Sequence, residues 1–168
     1  MPYPLPRRDT RPVRVGPLTL GGGAPIPVQS MTKTPTADAG ATLAQIRDLA
    51  AAGCDLIRVA VPDTAAAQAL PEIVRRSPLP VVADIHFNHR LALRALAAGV
   101  AKLRLNPGNL GRPEHVRAVA GAARARGIPI RVGVNNGSVP PELRARFPFT
   151  HAGNAQALVE SALGHIRL

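Results

Sequence analysis

Three arginines lie inside short apolar segments of the chain: Arg58 in LIRVAV, Arg104 in KLRLNP and Arg131 in IPIRVGV. Because a buried guanidinium without a partner is costly, three such positions predict a polar environment inside the fold. Guanidinium groups bind phosphate in a bidentate way, and each charge-assisted bond contributes about 1.5–3 kcal/mol. Arginine is not neutralised by burial, so the site should carry fixed positive charge. We therefore expect the three side chains to bind a phosphate or diphosphate together.

The arginines could instead pair with acidic side chains in a purely structural role, and the candidate partners are Asp55, Asp63 and Asp84. Asp84 is two residues from His86, so the two side chains lie on one face of a strand. Together they could orient a substrate hydroxyl or relay a proton, which makes them the candidate catalytic residues. An ordinary structural hydrogen bond between them is the alternative, and the residues alone leave both open.

Further polar residues lie two positions from the arginines and share their strand faces. Lys102 and Asn106 flank Arg104 in this way, and Asn135 lies on the face of Arg131 beyond an intervening glycine. Two loops follow directly, NPGN from Asn106 and NNGS from Asn135, and ordinary turn chemistry is an alternative explanation for both. No spacing of histidines or of the one cysteine, Cys54, predicts a metal site.

The elements that must position these residues follow from the apolar periodicity. A Pro- and Arg-rich segment, 1–12, is expected to be irregular, and a hairpin is predicted over 13–20. The predicted strands are 27–30, 56–61, 80–85, 102–105 and 128–134. The predicted helices are 41–52, 63–76 with an Asp63–Thr64 cap, 90–98, 113–126 and 155–166.

Strands that alternate with helices predict βαβ units around a parallel sheet. A doubly wound sheet would bury its central strands on both faces, where an arginine is unfavourable. In a barrel, alternate strand residues point to the axis, and those near the carboxyl ends face a polar pocket. We therefore predict an α/β fold: a TIM-type (β/α)8 barrel truncated after about five βα units, with a short N-terminal β-hairpin.

The amino-acid composition excludes several classes of function for this chain. The chain has 168 residues and a formal charge of +11, but its 21 basic residues include only two lysines and are scattered. Aromatic residues make up 2% of the chain, too few for a surface on which bases stack. One cysteine excludes an internal disulfide. No apolar run has the length of a membrane span, and the first residues lack the apolar stretch of a signal peptide. We expect a cytoplasmic protein that binds neither membranes nor nucleic acid.

Six motifs in order resemble the N-terminal barrel of the 4-hydroxy-3-methylbut-2-enyl diphosphate synthases, a family of iron–sulfur enzymes in the non-mevalonate isoprenoid pathway. They are PIPVQSMTKTPTAD, AGCDLIRVAVP, VVADIHFNHRLAL, KLRLNPGN, IPIRVGVNNGSV and ALVESAL. The resemblance covers roughly residues 7 to 164. Val139, where the family usually has leucine, is a small departure.

The resemblance implies a substrate and partners. The family opens the ring of 2-C-methyl-D-erythritol 2,4-cyclodiphosphate reductively and consumes two electrons. A 4Fe–4S cluster delivers these electrons, and flavodoxin or ferredoxin supplies them to the cluster. It also implies a homodimer for the full-length protein. The residues that it assigns to substrate binding are Arg58, Arg104, Asn106, Asn109, Arg131, Asn135 and Ser138.

The resemblance also implies that residues 1–168 are the N-terminal part of the substrate-binding barrel domain. The family's C-terminal iron–sulfur domain, with its cluster ligands, is absent from this sequence, so we expect the chain alone to be inactive. Two other functions remain as alternatives. One is a barrel enzyme of the dihydropteroate synthase type, against which the NPGN and ADIHF motifs argue, and the other is a non-catalytic basic module that binds nucleic acid.

Overall fold

The structure, a computed structural model, describes residues 8–168. The predicted irregular segment therefore lies partly outside the described residues, and positions 8–12 contain no helix or strand. The strands are β1 Val13–Val15, β2 Leu18–Leu20, β3 Gln29–Met31, β4 Leu56–Ala60, β5 Val81–Ile85, β6 Lys102–Leu105 and β7 Ile130–Val132. The helices are α1 Ala39–Ala51, α2 Thr64–Arg76, α3 His89–Ala97, α4 Pro113–Ala125, α5 Pro141–Arg144 and α6 His151–Ile166. Short 3-10 turns occur at Pro107–Asn109 and Asn136–Ser138.

The strands form two sheets. β1 and β2 are an antiparallel hairpin, as predicted. β3 to β7 form a five-stranded sheet in chain order, and every neighbouring pair is parallel. Parallel neighbours in chain order, joined by helices, are the arrangement of a (β/α)8 barrel through its first units. The predicted fold class is confirmed.

The five-stranded sheet has an apolar outer face that packs against the helices. The strand residues that point to it are Ile57, Val59, Val81, Ala83, Ile85, Leu103 and Leu105, and all of them are buried. Helix residues that complete this core include Leu70, Ile73, Leu91, Leu96 and Val119. Because side chains alternate along a strand, the intervening residues point to the opposite, inner face, which carries the arginines.

The N-terminal hairpin covers the amino-terminal end of the inner face. Val15 is fully buried there and packs against Leu56 and Val82, which both point inward. Leu18 and Leu20 pack against the same cluster. The hairpin thus closes one end of the inner face with apolar side chains, and Asp84 and Arg104 lie toward the other end, at the carboxyl ends of the strands. We call that end the mouth.

The elements near the end of the chain depart from the predicted bounds. α6 begins at His151 rather than at 155, because the Thr150 hydroxyl accepts a hydrogen bond from the Gly153 N–H and caps the helix. The four-residue helix α5 was not predicted, because a single turn is too short to show apolar periodicity. β7 is Ile130–Val132, shorter at both ends than the predicted 128–134. The Gly133 N–H still donates to the Leu105 carbonyl on β6, and the chain then enters the 3-10 turn at Asn136–Ser138.

The isolated chain is expected to self-associate. β3 and β7 each have a strand neighbour on one side only within the five-stranded sheet, and unpaired strand edges pair readily with another chain. In α6, Val159 is 56% and Ile166 64% exposed, which adds apolar surface. Sedimentation velocity over a range of concentrations should show a rising average mass. A constant monomeric mass with a single cooperative unfolding transition would contradict this expectation.

Candidate functional site

The register of the parallel strands lines up the inner-face residues in two rows. The lower row contains Met31, Arg58, Val82 and Lys102 on successive strands. The upper row, closer to the mouth, contains Ala60, Asp84, Arg104 and Arg131. Within these rows four cationic side chains accompany a single carboxylate.

Asp84 is the residue around which the upper row is organised. Its side chain is only 4% exposed, and its Oδ1 accepts a hydrogen bond of 3.1 Å from Nη1 of Arg104. Its Oδ2 lies 3.5 Å from Nε of Arg58 and 3.4 Å from Nε2 of His86. The carboxylate thus gathers two arginines and the candidate catalytic histidine, and the His86 side chain, 46% exposed, faces the mouth.

The sequence left open that Asp55, Asp63 or Asp84 pairs with the arginines in a structural role, and only one of these three aspartates does so. Asp55 accepts a 2.7 Å hydrogen bond from the Val28 N–H, and Asp63 caps α2. Of the three candidate aspartates, only Asp84 pairs with arginine, and it pairs with both Arg58 and Arg104. Among residues 8–168, no carboxylate lies within 4 Å of a nitrogen of Arg131, which is exposed on β7. The pairing holds the guanidinium groups in place and leaves a surplus of positive charge.

A glycine permits the position of the Arg104 guanidinium. A Cβ atom on Gly133 would lie 2.7 Å from Nε and 2.9 Å from Nη2 of Arg104, closer than real contacts allow. The guanidinium therefore lies directly over the backbone of the segment that follows β7. The sequence showed Gly133 on the face of Arg131 but gave no sign of this approach.

Replacing Gly133 with alanine should move Arg104 without unfolding the chain, because the guanidinium is the far end of a flexible side chain. We expect the pairing with Asp84 to weaken and the affinity for inorganic pyrophosphate to fall about tenfold, the value of one charge-assisted hydrogen bond. Gly121→Ala is the control, because no atom lies within 4 Å of its added Cβ. Isothermal titration calorimetry compares the two variants, and equal affinities would contradict the role of Gly133.

Arg58 has a second contact that sequence reasoning missed. Its Nε lies 3.1 Å from Sδ of Met31, the neighbouring inner-face residue on β3. Sulfur is a weak acceptor, so this contact supports the side chain by packing more than by charge. The signal in the sequence was the QSM segment, whose last residue comes into register with Arg58 only once the strands pair.

The two loops at the mouth place the remaining candidates. Asn106 is 1% exposed, and neither its Nδ2 nor its Oδ1 has a hydrogen-bond partner within residues 8–168. Asn109 is half-buried, and its N–H donates to the Asn106 carbonyl. Asn135 is exposed, whereas the Ser138 hydroxyl is buried and donates to the Asn135 carbonyl at 2.9 Å. Ser138 therefore stabilises the conformation of its loop, whereas the buried Asn106 amide has no hydrogen-bond partner among residues 8–168.

The two loops also touch each other. A Cβ atom on Gly108 would lie 2.8 Å from the Ser138 carbonyl oxygen and 3.2 Å from Nε2 of His165 on α6. The His165 side chain is half-buried, and this burial lowers the pKa of its imidazole below the ordinary value. The NPGN loop thus packs tightly between the NNGS loop and the last helix. Sequence reasoning gave no indication of His165.

Lys102 is the inner-face cation that the predicted site omitted. It is 7% exposed, and its pKa is lowered by burial and by the nearby charges of Arg131 and Arg58. Its position two residues before Arg104 was visible in the sequence as a shared strand face. Its burial could not be foreseen, because it depends on the neighbouring strands and on the hairpin below.

The fold and the site define a class of protein: a parallel α/β barrel segment whose inner face concentrates positive charge at the carboxyl ends of its strands, suited to a small polyanion. A family model described as GcpE TIM-barrel domain matches residues 10–168. The chain belongs to this family.

Two relatives of this chain carry the same name. The chain is 54% identical to the 4-hydroxy-3-methylbut-2-en-1-yl diphosphate synthase (flavodoxin) of Geobacillus kaustophilus, over 96% of this chain and 42% of that protein. It is 56% identical to the protein of the same name from Geobacter sulfurreducens, over 96% of this chain and 45% of the other. The chain thus spans less than half the length of these relatives.

Among solved structures, the dihydropteroate synthase of Xanthomonas albilineans with 4-aminobenzoic acid superimposes with a TM-score of 0.58 at 17% identity, covering 90% of this chain and 61% of that one. At this identity the similarity shows the fold alone. Over residues 8–168, no helix is both long and apolar enough to cross a membrane.

Proposed function

We propose that this chain is the substrate-binding part of a 4-hydroxy-3-methylbut-2-en-1-yl diphosphate synthase, and that its inner face binds 2-C-methyl-D-erythritol 2,4-cyclodiphosphate. The observation that carries the proposal is the group of four cations on the inner face, Arg58, Lys102, Arg104 and Arg131, which are accompanied by a single carboxylate, Asp84, paired with Arg58 and Arg104. Each phosphate of a cyclic diphosphate carries negative charge, so the surplus positive charge of the inner face complements such a ligand. The names of the family relatives support the choice of reaction.

The proposed roles follow from position. Arg58 and Arg104 are held by Asp84 and would bind phosphate oxygens through the N–H groups that Asp84 does not use. Arg131, which has no carboxylate within 4 Å among residues 8–168, would add a third contact from the next strand. Asn106 would use its unpaired amide on a ligand oxygen or hydroxyl, since a buried amide without partners is costly in the free state.

Asn109, Asn135 and Ser138 would complete the site from the loops. Asn135 is exposed at the mouth and could reach the ligand directly, whereas the Ser138 hydroxyl is engaged with the backbone of Asn135. His86 faces the mouth beside the Asp84 carboxylate. This pair would orient a hydroxyl of the substrate and hold or transfer a proton there, the candidate catalytic role.

The iron–sulfur cluster implied by the family does not fit the residues of this chain. The one cysteine, Cys54, is buried, and its thiol donates to the Leu56 carbonyl at the amino-terminal end of β4, away from the mouth. Within residues 8–168, no three His, Cys, Asp or Glu side chains are grouped as a metal site would require. We therefore propose the cluster and its electron donor, flavodoxin or ferredoxin, only for full-length proteins of this family. The homodimeric state and the cytoplasmic location are likewise proposed for such full-length proteins.

We expect the 168-residue chain to bind no stable cluster, because a 4Fe–4S cluster usually needs four protein ligands. After anaerobic reconstitution with iron and sulfide, the desalted chain should show no broad visible absorption and no reductive activity. Cys54→Ser is the control variant. Absorption that survives desalting and is lost in Cys54→Ser would contradict the expectation.

Calorimetric titration tests the proposed function with three probes: the cyclodiphosphate, inorganic pyrophosphate and 4-aminobenzoic acid. We expect the cyclodiphosphate to bind and to displace pyrophosphate, and 4-aminobenzoic acid not to bind. Binding of 4-aminobenzoic acid without the cyclodiphosphate would favour a dihydropteroate synthase-type activity instead. A duplex DNA titration covers the remaining alternative, because DNA binding with a steep salt dependence and no cyclodiphosphate binding would identify a nucleic-acid module.

A further inference from the structure

The chain has only two lysines, Lys33 and Lys102, and they occupy contrasting environments. Lys33 is exposed just after β3. Lys102 is 7% exposed and lies on the inner face of β6, one row below Arg104. A buried ammonium group is unusual unless it is paired.

The groups around Lys102 are mostly cationic. Arg58 lies in the same row on β4, Arg104 lies two residues along β6, and Arg131 lies on β7. Asp84 is on β5 and His86 directly follows that strand, and the Asp84 carboxylate is engaged by Arg58 and Arg104. The hairpin packs Val15, with Leu18 and Leu20 beside it, against the apolar cluster that contains Val82, the neighbour of Lys102 on β5. Within residues 8–168, no carboxylate lies within 4 Å of the Lys102 ammonium.

Lys102 also differs in kind from the other three cations. A guanidinium stays protonated at any pH a protein tolerates, whereas an ammonium group can lose its proton when it is buried near like charges. Burial and the charges of Arg131 and Arg58 lower the pKa of Lys102. Among the four inner-face cations, it is the one whose charge can change.

We propose that Lys102 is a further ligand of the bound anion and takes up a proton when the anion binds. The inference rests on the proposed anion site. An anion beside Lys102 supplies the negative charge that its surroundings lack and so favours the ammonium form. By linkage, anion affinity is highest where free Lys102 is already protonated, and it falls as the pH rises through the pKa of free Lys102.

Carbon NMR of the chain labelled at lysine Cε measures this directly, since only two signals appear. In the free chain we expect the Lys102 signal to titrate at a lower pH than the Lys33 signal. Saturating inorganic pyrophosphate should move the Lys102 midpoint upward and leave the exposed Lys33 nearly unchanged. Assignment comes from Lys33→Gln and Lys102→Gln, each of which removes one signal.

Affinity measurements provide a second readout. Lys102→Gln should weaken pyrophosphate binding about tenfold, the effect of one charge-assisted hydrogen bond, and Lys33→Gln should change it less than threefold. Lys102→Arg should keep most of the affinity, and the ratio of wild-type to Lys102→Arg affinity should fall as the pH rises. Using the ratio cancels the ionisation of pyrophosphate itself.

The outcomes separate the two proposals. Pyrophosphate binding that leaves the Lys102 titration unmoved, or a pH-independent affinity ratio, would overturn the role of Lys102 while the anion site stands. If wild-type chain with native circular dichroism binds neither pyrophosphate nor the cyclodiphosphate, the proposed function fails and this inference fails with it. A Lys102 midpoint equal to that of Lys33 in the free chain would also overturn the inference.

Discussion

Replacing Arg104 with glutamine is expected to weaken the binding of inorganic pyrophosphate by about 10- to 100-fold, the equivalent of about 1.5–3 kcal/mol for a charge-assisted hydrogen bond. Arg104 is the less exposed of the two arginines that pair with Asp84, with 14% of its side chain exposed against 26% for Arg58. Its guanidinium is held by Asp84 on one strand and lies over Gly133 beyond another. A group positioned from both sides loses little entropy when it binds an anion, so its removal has a large effect.

Stability should change less than affinity in this variant. Asp84 keeps its pairing with Arg58, so the buried carboxylate is not left without a partner, and we expect a loss of about 1 kcal/mol in the free energy of unfolding, less than for a buried pair that is broken outright. Arg94→Gln is the matched control, because Arg94 is exposed in the last turn of α3, at the opposite end of the strands. A similar loss of pyrophosphate affinity in both variants would show that total charge, not the inner-face site, binds the anion.

Replacing Gly153 with alanine is expected to lower the free energy of unfolding by about 2 kcal/mol. A Cβ atom at this position would overlap the Pro148 carbonyl oxygen, which accepts a hydrogen bond from the Thr150 N–H. Backbone must move to relieve the overlap, and overpacking of this kind costs about 1–3 kcal/mol. The same movement would disturb the Thr150 cap of α6, since the Thr150 hydroxyl accepts from the Gly153 N–H at 3.1 Å.

The control lies on the same helix. Gly164 has no atom within 4 Å of an added Cβ, so Gly164→Ala should stabilise the chain by about 0.5–1 kcal/mol through helix propensity alone. Urea unfolding followed by circular dichroism gives both values. Gly153→Ala as stable as Gly164→Ala would mean that the 148–150 segment does not pack against α6 as the structure has it.

The order and type of the elements followed from local information. Apolar residues with a period of two or 3.6 specify strands and helices over a few residues, and the predicted cap at Asp63 lies next to the helix that it begins. The start of α6 was misplaced by four residues because its cap, Thr150, precedes a run of small and polar residues without a clear apolar period. α5 was missed because a single helical turn is too short to show an apolar period.

The sequence by itself also determined which site residues share a face. Strand side chains alternate, so Lys102 must lie on the face of Arg104 whatever the rest of the fold does. His86 lies one residue beyond β5, and its Nε2 is nevertheless 3.4 Å from Oδ2 of Asp84, as the alternation predicted. The sequence did not determine which aspartate the arginines would pair with. Asp84 became the partner through the register of β4, β5 and β6, while Asp63 was used by a helix cap.

Only the tertiary structure decided the contacts between residues distant in the chain. The approach of Arg104 to Gly133, the contact of Arg58 with Met31 and the burial of Lys102 all depend on which strands are neighbours and by how many residues they are offset. A shift of one residue in that offset would send each side chain to the other face. The sequence of one strand determines which of its side chains share a face. Which side chains of other strands they contact is determined only when the strands pair in the sheet.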